Sequence, residues 1–248
     1  MKSLSKNFNV DTSKVDCCKR YLPQAFMSDA QEIAHNHATA IGFGYKDMID
    51  LNIAWVLSRL KVRYLRAPQW DEEVTLTTWH KGRDGIFSLR DFLIHDTKSG
   101  ELLVEATSSW LIIDLTTRRM MRADHALGEK GLRTTFEQDA IAEQCQKISV
   151  PKEPAPEFCR TVKVMYSDID LNNHTNNTRY MLWAIDSLPV EILQNREIDE
   201  FQINFNMESK LSDEITINTC AVDSDTFYVE GISQTGKNIF QTTIKLKQ

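Results

Sequence analysis

Apolar and polar residues alternate through most of this chain, and two stretches replace the alternation with a helical spacing. Four segments, near 53–66, 72–82, 86–97 and 101–114, carry the period-two pattern of strands with one buried face. Four more follow near 200–209, 213–222, 226–234 and 238–247. Ile33, Ala34, His37, Ala38 and Ile41 recur at helical spacing, as do Tyr180, Met181, Ala184, Ile185 and Leu188. Ser28-Asp-Ala-Gln31 has the form of a capping box, which predicts a first helix from Ser28 to about Gly42. The preceding stretch, Cys17 to Met27, reads as a strand. Arg160 to Tyr166 does the same before a second helix near 177–188, which ends ahead of Pro189. Trp183 sits on the otherwise polar face of that helix, so the helix should be buried on nearly all sides.

The two sets of elements are copies. Sliding the sequence by 141 positions lays Leu60–Thr78 on Phe201–Thr219 without a gap. Apolar meets apolar at 60/201, 62/203, 64/205, 70/211, 74/215 and 76/217, and Glu73/Glu214, Thr75/Thr216 and Thr78/Thr219 are identical. Any two amphipathic strands share alternation, but the common turn spacing and the identities favour a duplication. Each half then holds one strand, one central helix and four strands, an α+β unit whose antiparallel sheet can curl around its helix. Pro151, Pro154 and Pro156 fall between the halves, where fixed φ angles and missing donors favour an extended linker. The expected division is 1–147, a linker at 148–157, and 158–248.

Composition narrows the class without naming a function. The chain has 248 residues, 42% hydrophobic and 26% charged, with a net charge of −6. That excludes collagen-like and largely disordered chains and argues against a dedicated nucleic-acid binder. No window approaches the roughly 18 consecutive apolar residues of a spanning helix, and the first 30 residues lack a secretory pattern. Five cysteines without a CxxC pair suit a reducing cytoplasm.

The densest polar cluster is Ser167-Asp-Ile-Asp-Leu-Asn-Asn-His-Thr-Asn-Asn-Thr178, just before the second helix. In an extended strand end, Asp170, Asn172 and His174 would alternate and point the same way. Asn176 suits the N-cap, and the amides of the helix start could hold an oxyanion. The plain reading is a polar turn with a cap; the first half has no such cluster. Glu208 aligns with Ala67 of the other copy, and is either a solvent-facing charge or a second carboxylate facing the helix start. His35 and His37, two apart on a helix, face nearly opposite ways, with His37 towards the core; no metal is assigned. No cofactor motif is present either: Gly42-Phe-Gly44 lacks a third glycine and follows a helix.

Asp170-Leu-Asn-Asn-His-Thr-Asn-Asn-Thr-Arg-Tyr180 resembles the D-x-N-x-H-x-N-N-x-x-Y signature of the acyl-acyl-carrier-protein thioesterases, best known from plant plastids. Asn36-His-Ala-Thr-Ala-Ile-Gly42, Trp55 with Arg59, Pro68-x-Trp70-Asp71, Thr78-Trp79, Arg90-Asp-Phe92, Gly100-Glu101, Ala106–Trp110 and Thr117-Arg-Arg119 extend the likeness in order. The resemblance implies a tandem double hotdog, two long helices each wrapped by a curved antiparallel sheet. It implies Asp170, Asn172, His174 and Glu208 as catalytic, no cofactor, and acyl carrier protein as the carrier of the substrate. The first half would then hold the acyl chain. Ser209 departs from the plant pattern, which has a cysteine there, so a cysteine nucleophile is not expected. The closeness of Met1 to the first strand suggests a bacterial cytoplasmic member without a transit peptide.

Chemically, His174 could act as base and then acid, Asn172 could donate to the thioester carbonyl, and Glu208 could activate water or attack directly. Asp170 could orient His174 or Asn172. Two rivals remain: a hotdog thioesterase acting on acyl-coenzyme A, and a non-catalytic acyl-binding module. Monomer and homodimer are both compatible with the sequence. The arginines near 117–122 could receive an acidic carrier.

Overall fold

The computed structural model describes residues 1–127, 138–151 and 156–247. The chain runs β1 (Ser3–Asn9), α1 (Pro23–Ala40), α2 (Tyr45–Asp50), β2 (Ile53–Tyr64), β3 (Glu73–Asp84), β4 (Phe87–Asp96), β5 (Leu102–Asp114), β6 (Met120–Met121) and α3 (Ala123–Leu127). It continues with β7 (Phe158–Lys163), α4 (Asn177–Ile185), α5 (Val190–Asn195), β8 (Ile198–Phe205), β9 (Glu214–Ala221), β10 (Thr226–Ser233) and β11 (Asn238–Leu246). Ten of these strands form one sheet in the order β1-β3-β4-β5-β2-β8-β11-β10-β9-β7, and β6 adds to β5. The order reads the same from both ends once each strand is matched to its repeat partner. The duplication is thus visible as an internal two-fold, with β2 and β8 paired antiparallel at its centre.

Alternation builds the core. Leu60, Val62 and Tyr64 of β2, Val74 and Leu76 of β3, Phe92 and Ile94 of β4 and Val104 and Ala106 of β5 are buried in one cluster with α1. Helix α1 contributes Phe26, Met27, Ala30, Ile33 and Ala34, a stripe at i, i+1, i+4, i+7 and i+8. In the second half Tyr180, Met181, Trp183, Ala184 and Ile185 bury most of the circumference of α4 among Phe201, Ile203, Ile215, Ile217, Val229 and Phe240. Tyr64 and Phe201 meet across the β2–β8 seam at 6.3 Å between ring centroids. Two helices wrapped by one continuous antiparallel sheet make the double hotdog.

Four local expectations give way. Cys17–Met27 is not a strand: residues 15–21 form a tight turn closed by a Val15–Tyr21 bridge, and α1 begins at Pro23. Proline at the first helical position costs nothing, because its missing N–H has no partner there anyway, so Ser28-Asp-Ala-Gln31 lies inside the helix. The true first strand is β1, an edge strand with only Leu4 and Phe8 to mark it. The second helix stops at Ile185 instead of 188, and β8 ends at Phe205, which leaves Glu208 in the following loop.

Of the linker at 148–157, residues 152–155 lie outside the described residues. The stretch before it is no free tether. Ile141, Cys145 and Ile148 are buried, Ala140 N–H donates to Asp91 Oδ2 at 2.8 Å, and Trp79 Nε1 donates to the Gln138 carbonyl at 2.7 Å. That strap covers the outer face of β3 and β4, which explains why β4 is buried on both sides along Ser88–Ile94. Among the described residues no helix is long and apolar enough to cross a membrane.

Candidate active site

The polar cluster before α4 folds as a tight turn, not as an extended strand end. Ile169 and Thr175 bridge its base, and Asp170 N–H donates to the His174 carbonyl at 2.8 Å. The Asp170 carboxylate Oδ1 accepts from the amides of Asn172 (2.8 Å) and His174 (3.4 Å). Asn173 takes a positive φ of 61°, which asparagine tolerates better than most residues. Asp170 therefore builds the turn, while Asn172 is exposed at its tip and His174 is half-buried. Asn176 caps α4 as expected, accepting from Thr178 N–H at 2.9 Å. Its carbonyl takes the Arg179 amide, so these two donors are not available to an oxyanion.

Glu208 reaches the turn from the loop after β8. Its Oε2 lies 3.1 Å from His174 Nε2. The carboxylate is not alone with the imidazole, however. Arg118 Nη2 donates to Glu208 Oε1 at 2.7 Å and to Oε2 at 2.6 Å. Arg118 belongs to the β5–β6 turn of the other half.

Ser209, next to Glu208, is 1% exposed. Its Oγ lies 2.6 Å from Thr175 Oγ1 and 2.9 Å from the Tyr180 hydroxyl. Its carbonyl accepts from the Thr175 amide at 2.8 Å. Tyr180 stacks on Phe240 at 5.2 Å, and its burial raises the phenol pKa. Ser209 thus ties the Glu208 loop to the 170–175 turn and to α4. Nothing here activates a hydroxyl for attack.

A cavity of about 260 Å³ opens beside the turn. Its wall comes from the first half, with Ala34, Ala38, Met48, Ile53, Trp55 and Trp110, and Asn172 stands on its lining. His80, Ser88 and Arg90 form a polar strip along it. Arg90 Nη1 donates to His37 Nδ1 at 3.0 Å and to Thr78 Oγ1 at 3.2 Å. Burial, with the Arg90 charge second, pushes the His37 pKa down to about 4, and the same two causes lower His80 to about 4. Burial lowers Arg90 to about 10, so it stays cationic at neutral pH. His37 is buried and His35 exposed, as their spacing predicts. No cluster of three His, Cys, Asp or Glu side chains suited to a metal occurs among the described residues.

The sequence matches the acyl-ACP thioesterase N-terminal domain over residues 1–129 and the acyl-ACP thioesterase C-terminal domain over residues 152–248. The chain belongs to the acyl-ACP thioesterase family. Among curated relatives, the chloroplastic palmitoyl-acyl carrier protein thioesterase of Gossypium hirsutum is 28% identical over 90% of this chain and 56% of its own length. The chloroplastic oleoyl-acyl carrier protein thioesterase of Coriandrum sativum is 27% identical over 94% of this chain and 67% of its own. The chain thus spans between about half and two-thirds of these relatives. An acyl-ACP thioesterase crystal structure from Bacteroides thetaiotaomicron superposes with a TM-score of 0.88 at 27% identity, covering 99% of this chain and 98% of that one. The 12:0-ACP thioesterase of Umbellularia californica gives 0.91 at 21% identity over 100% and 98%, a likeness of fold.

Within this thioesterase scaffold the four sequence-derived candidates converge. His174 and Glu208 meet, Asn172 lines the neighbouring cavity, and Asp170 holds the turn that carries both. Sequence reasoning placed Arg118 on a docking surface and missed its contact with Glu208. No spacing rule joins two residues 90 positions apart on different halves.

Proposed function

We propose that this protein hydrolyses the thioester of fatty acyl chains carried on acyl carrier protein, releasing free fatty acid and ending elongation. The observation that carries the reading is that one turn puts His174 against Glu208 while its tip, Asn172, lines the apolar cavity. A thioester whose acyl chain fills the cavity would present its carbonyl beside these side chains. Asn172 donates to the carbonyl oxygen, and its donation strengthens as that oxygen gains charge in the tetrahedral intermediate. Water adds to the carbonyl carbon and gives its proton to Glu208 or His174. The C–S bond then breaks, and the imidazolium or carboxylic acid returns the proton to the leaving thiolate. Asp170 takes no part in proton transfer on this reading; it keeps the turn closed.

The first half, up to about 147, serves as the acyl pocket, and residues 158–248 carry the reactive groups. Both are needed for one centre. The pairing of repeats within the chain supplies the second sheet, so a second copy is not required for the chemistry. The cysteine pattern supports a cytoplasmic setting.

The deciding experiment offers the purified protein a panel of acyl thioesters on acyl carrier protein and on coenzyme A, with free fatty acid and thiol both measured. Faster release from the carrier protein at equal chain length is the expected result. Preference for coenzyme A would move the substrate class, and no release from either would leave a binding module.

A further inference from the structure

Arg118 has no role in the scheme above, yet it is the cation nearest the proposed reacting carboxylate. One nitrogen, Nη2, reaches both Glu208 oxygens, at 2.7 and 2.6 Å. Glu208 itself stands in the loop beyond the end of β8; hydrogen bonds from Met207 N–H to the Ile239 carbonyl and from Thr175 N–H to the Ser209 carbonyl hold the backbone on either side of it, but they do not set its side-chain rotamer. Among the described residues, the side chains within bonding distance of its carboxylate are His174 and Arg118.

Stability does not explain the pair. The two side chains are 51% and 39% exposed, and water screens an exposed ion pair until it contributes little to folding. The backbone of Arg118, by contrast, is held firmly. It adopts a φ of +57°, which disfavours any residue with a Cβ, in a turn whose amides are gathered onto one acid. Asp114 Oδ1 accepts from Thr116 N–H at 3.0 Å and from Thr117 N–H, and the Asp114 carbonyl accepts from Arg118 N–H at 2.9 Å. Asn52 braces the turn from the side: its carbonyl accepts from Leu115 N–H and its side chain donates to Thr116 Oγ1. A stiff, braced turn aims one guanidinium across the two halves at one carboxylate.

We propose that Arg118 is a positioning residue for the thioesterase reaction, holding Glu208 in the rotamer that meets His174. This inference rests on the proposed hydrolytic function. Without Arg118, the Glu208 side chain would sample several rotamers in water, and a small fraction of molecules would be correctly assembled. The loss should appear in kcat and not in KM, because Arg118 lines no part of the acyl cavity. It should appear equally for a small uncharged thioester and for the carrier-bound substrate.

The test compares Arg118→Ala, Arg118→Lys and Arg119→Ala in the full chain. Arg119 is exposed on the same turn and serves as the control for loss of surface charge. Arg118→Ala should lower kcat on an uncharged model thioester tenfold or more with KM changed less than twofold. Arg118→Lys should recover part of that loss, and guanidinium ion added to Arg118→Ala should recover activity in a saturable way. Arg119→Ala should leave hydrolysis of the model thioester unchanged. If Arg118→Ala retains kcat on the model thioester but raises KM for the carrier-bound acyl chain, Arg118 is a docking residue and the proposal fails. It fails equally if neither guanidinium nor lysine restores any activity while thermal unfolding is unchanged. An unmodified protein inactive on every thioester would instead overturn the function itself.

Discussion

Lys61 and Gln202 occupy the same place in the internal repeat, and they face each other as directly paired residues across the β2–β8 seam. On either side Leu60 pairs with Ile203 and Val62 with Phe201, and the repeat exchanges these two pairs, since Leu60 matches Phe201 and Val62 matches Ile203. The pseudo-dyad therefore passes between Lys61 and Gln202, through the middle of an unbroken hydrogen-bonded sheet. The two halves share their core at this line, since Leu60, Val62, Phe201 and Ile203 are all buried. Phe201→Ala should accordingly cost about 3–5 kcal/mol, the usual penalty for emptying a packed aromatic site. Denaturation followed by circular dichroism and by tryptophan emission should still give one coincident transition, because both halves lose the same wall. Two separate transitions would show that the halves unfold independently.

The turn at 170–174 divides its residues between chemistry and architecture. His174→Ala, Asn172→Ala and Glu208→Ala should each reduce turnover by about a hundredfold or more, as loss of acid–base or oxyanion groups does. Their melting temperatures should change little, because these side chains reach solvent. Asp170→Ala should behave otherwise, losing stability along with turnover, since the amides of Asn172 and His174 lose their acceptor. Asp170→Asn, which keeps an acceptor oxygen, should recover much of both. Turnover per folded molecule, measured with thermal unfolding, separates the two patterns.

Ser209→Ala should retain far more activity than Glu208→Ala and lose more stability. The hydroxyl it removes bonds to both Thr175 and Tyr180 in a buried site, and a buried hydrogen bond contributes about 0.5–1.5 kcal/mol. Equal inactivity of the two variants, at equal folding, would point to a hydroxyl nucleophile.

Chain-length preference should respond to the first half alone. Ala54→Phe and Ala38→Leu add bulk to the cavity lining at a distance in sequence from the reacting groups. Both should shift released fatty acids towards shorter chains while activity on a short acyl thioester persists. An unchanged product profile from folded variants would place the chain elsewhere.

Acid should weaken the fold through its buried histidines. His37 and His80 take up a proton near the usual 6.5 when unfolded, but only near 4 when folded. Between those values the unfolded chain binds more protons, so stability is full above about pH 6.5 and falls as pH drops towards 4. His37→Gln, which can still accept from Arg90, should show a shallower fall in its urea midpoint between pH 7 and 4. Parallel curves for the two proteins would mean that His37 does not carry this dependence.

Much of this was readable in the sequence, for a physical reason. Strands that pack one face on a helix keep a period-two pattern, so all eight repeat strands lie within a few residues of their expected places. The N-cap at Asn176 and the split between His35 and His37 follow from equally local rules. What was not readable depends on partners far away in sequence. Strand β1 is fixed by its pairing with β3 more than by its own two apolar residues. The start of α1 is hidden because Ser28 and Gln31 fit a capping box, whereas the helix begins after Leu22, which makes no side-chain cap bond, with Pro23 in its first position. Asp170, Asn172 and His174 lie together through a tight turn that the Asp170 carboxylate closes, and not through the extended strand end their alternation suggests. The strap over β4 and the reach of Arg118 to Glu208 arise between segments that no periodicity connects.

The repeat sets Ala67, 7% exposed, where its twin carries Glu208. A scaffold that is nearly symmetric thus bears a carboxylate at one end of its dyad and a methyl at the other. On the proposed function, one half supplies the reacting groups and the other encloses their substrate, which makes a single centre per chain. Saturation by substrate should then be hyperbolic, with one equivalent consumed per chain and no cooperativity arising within the molecule.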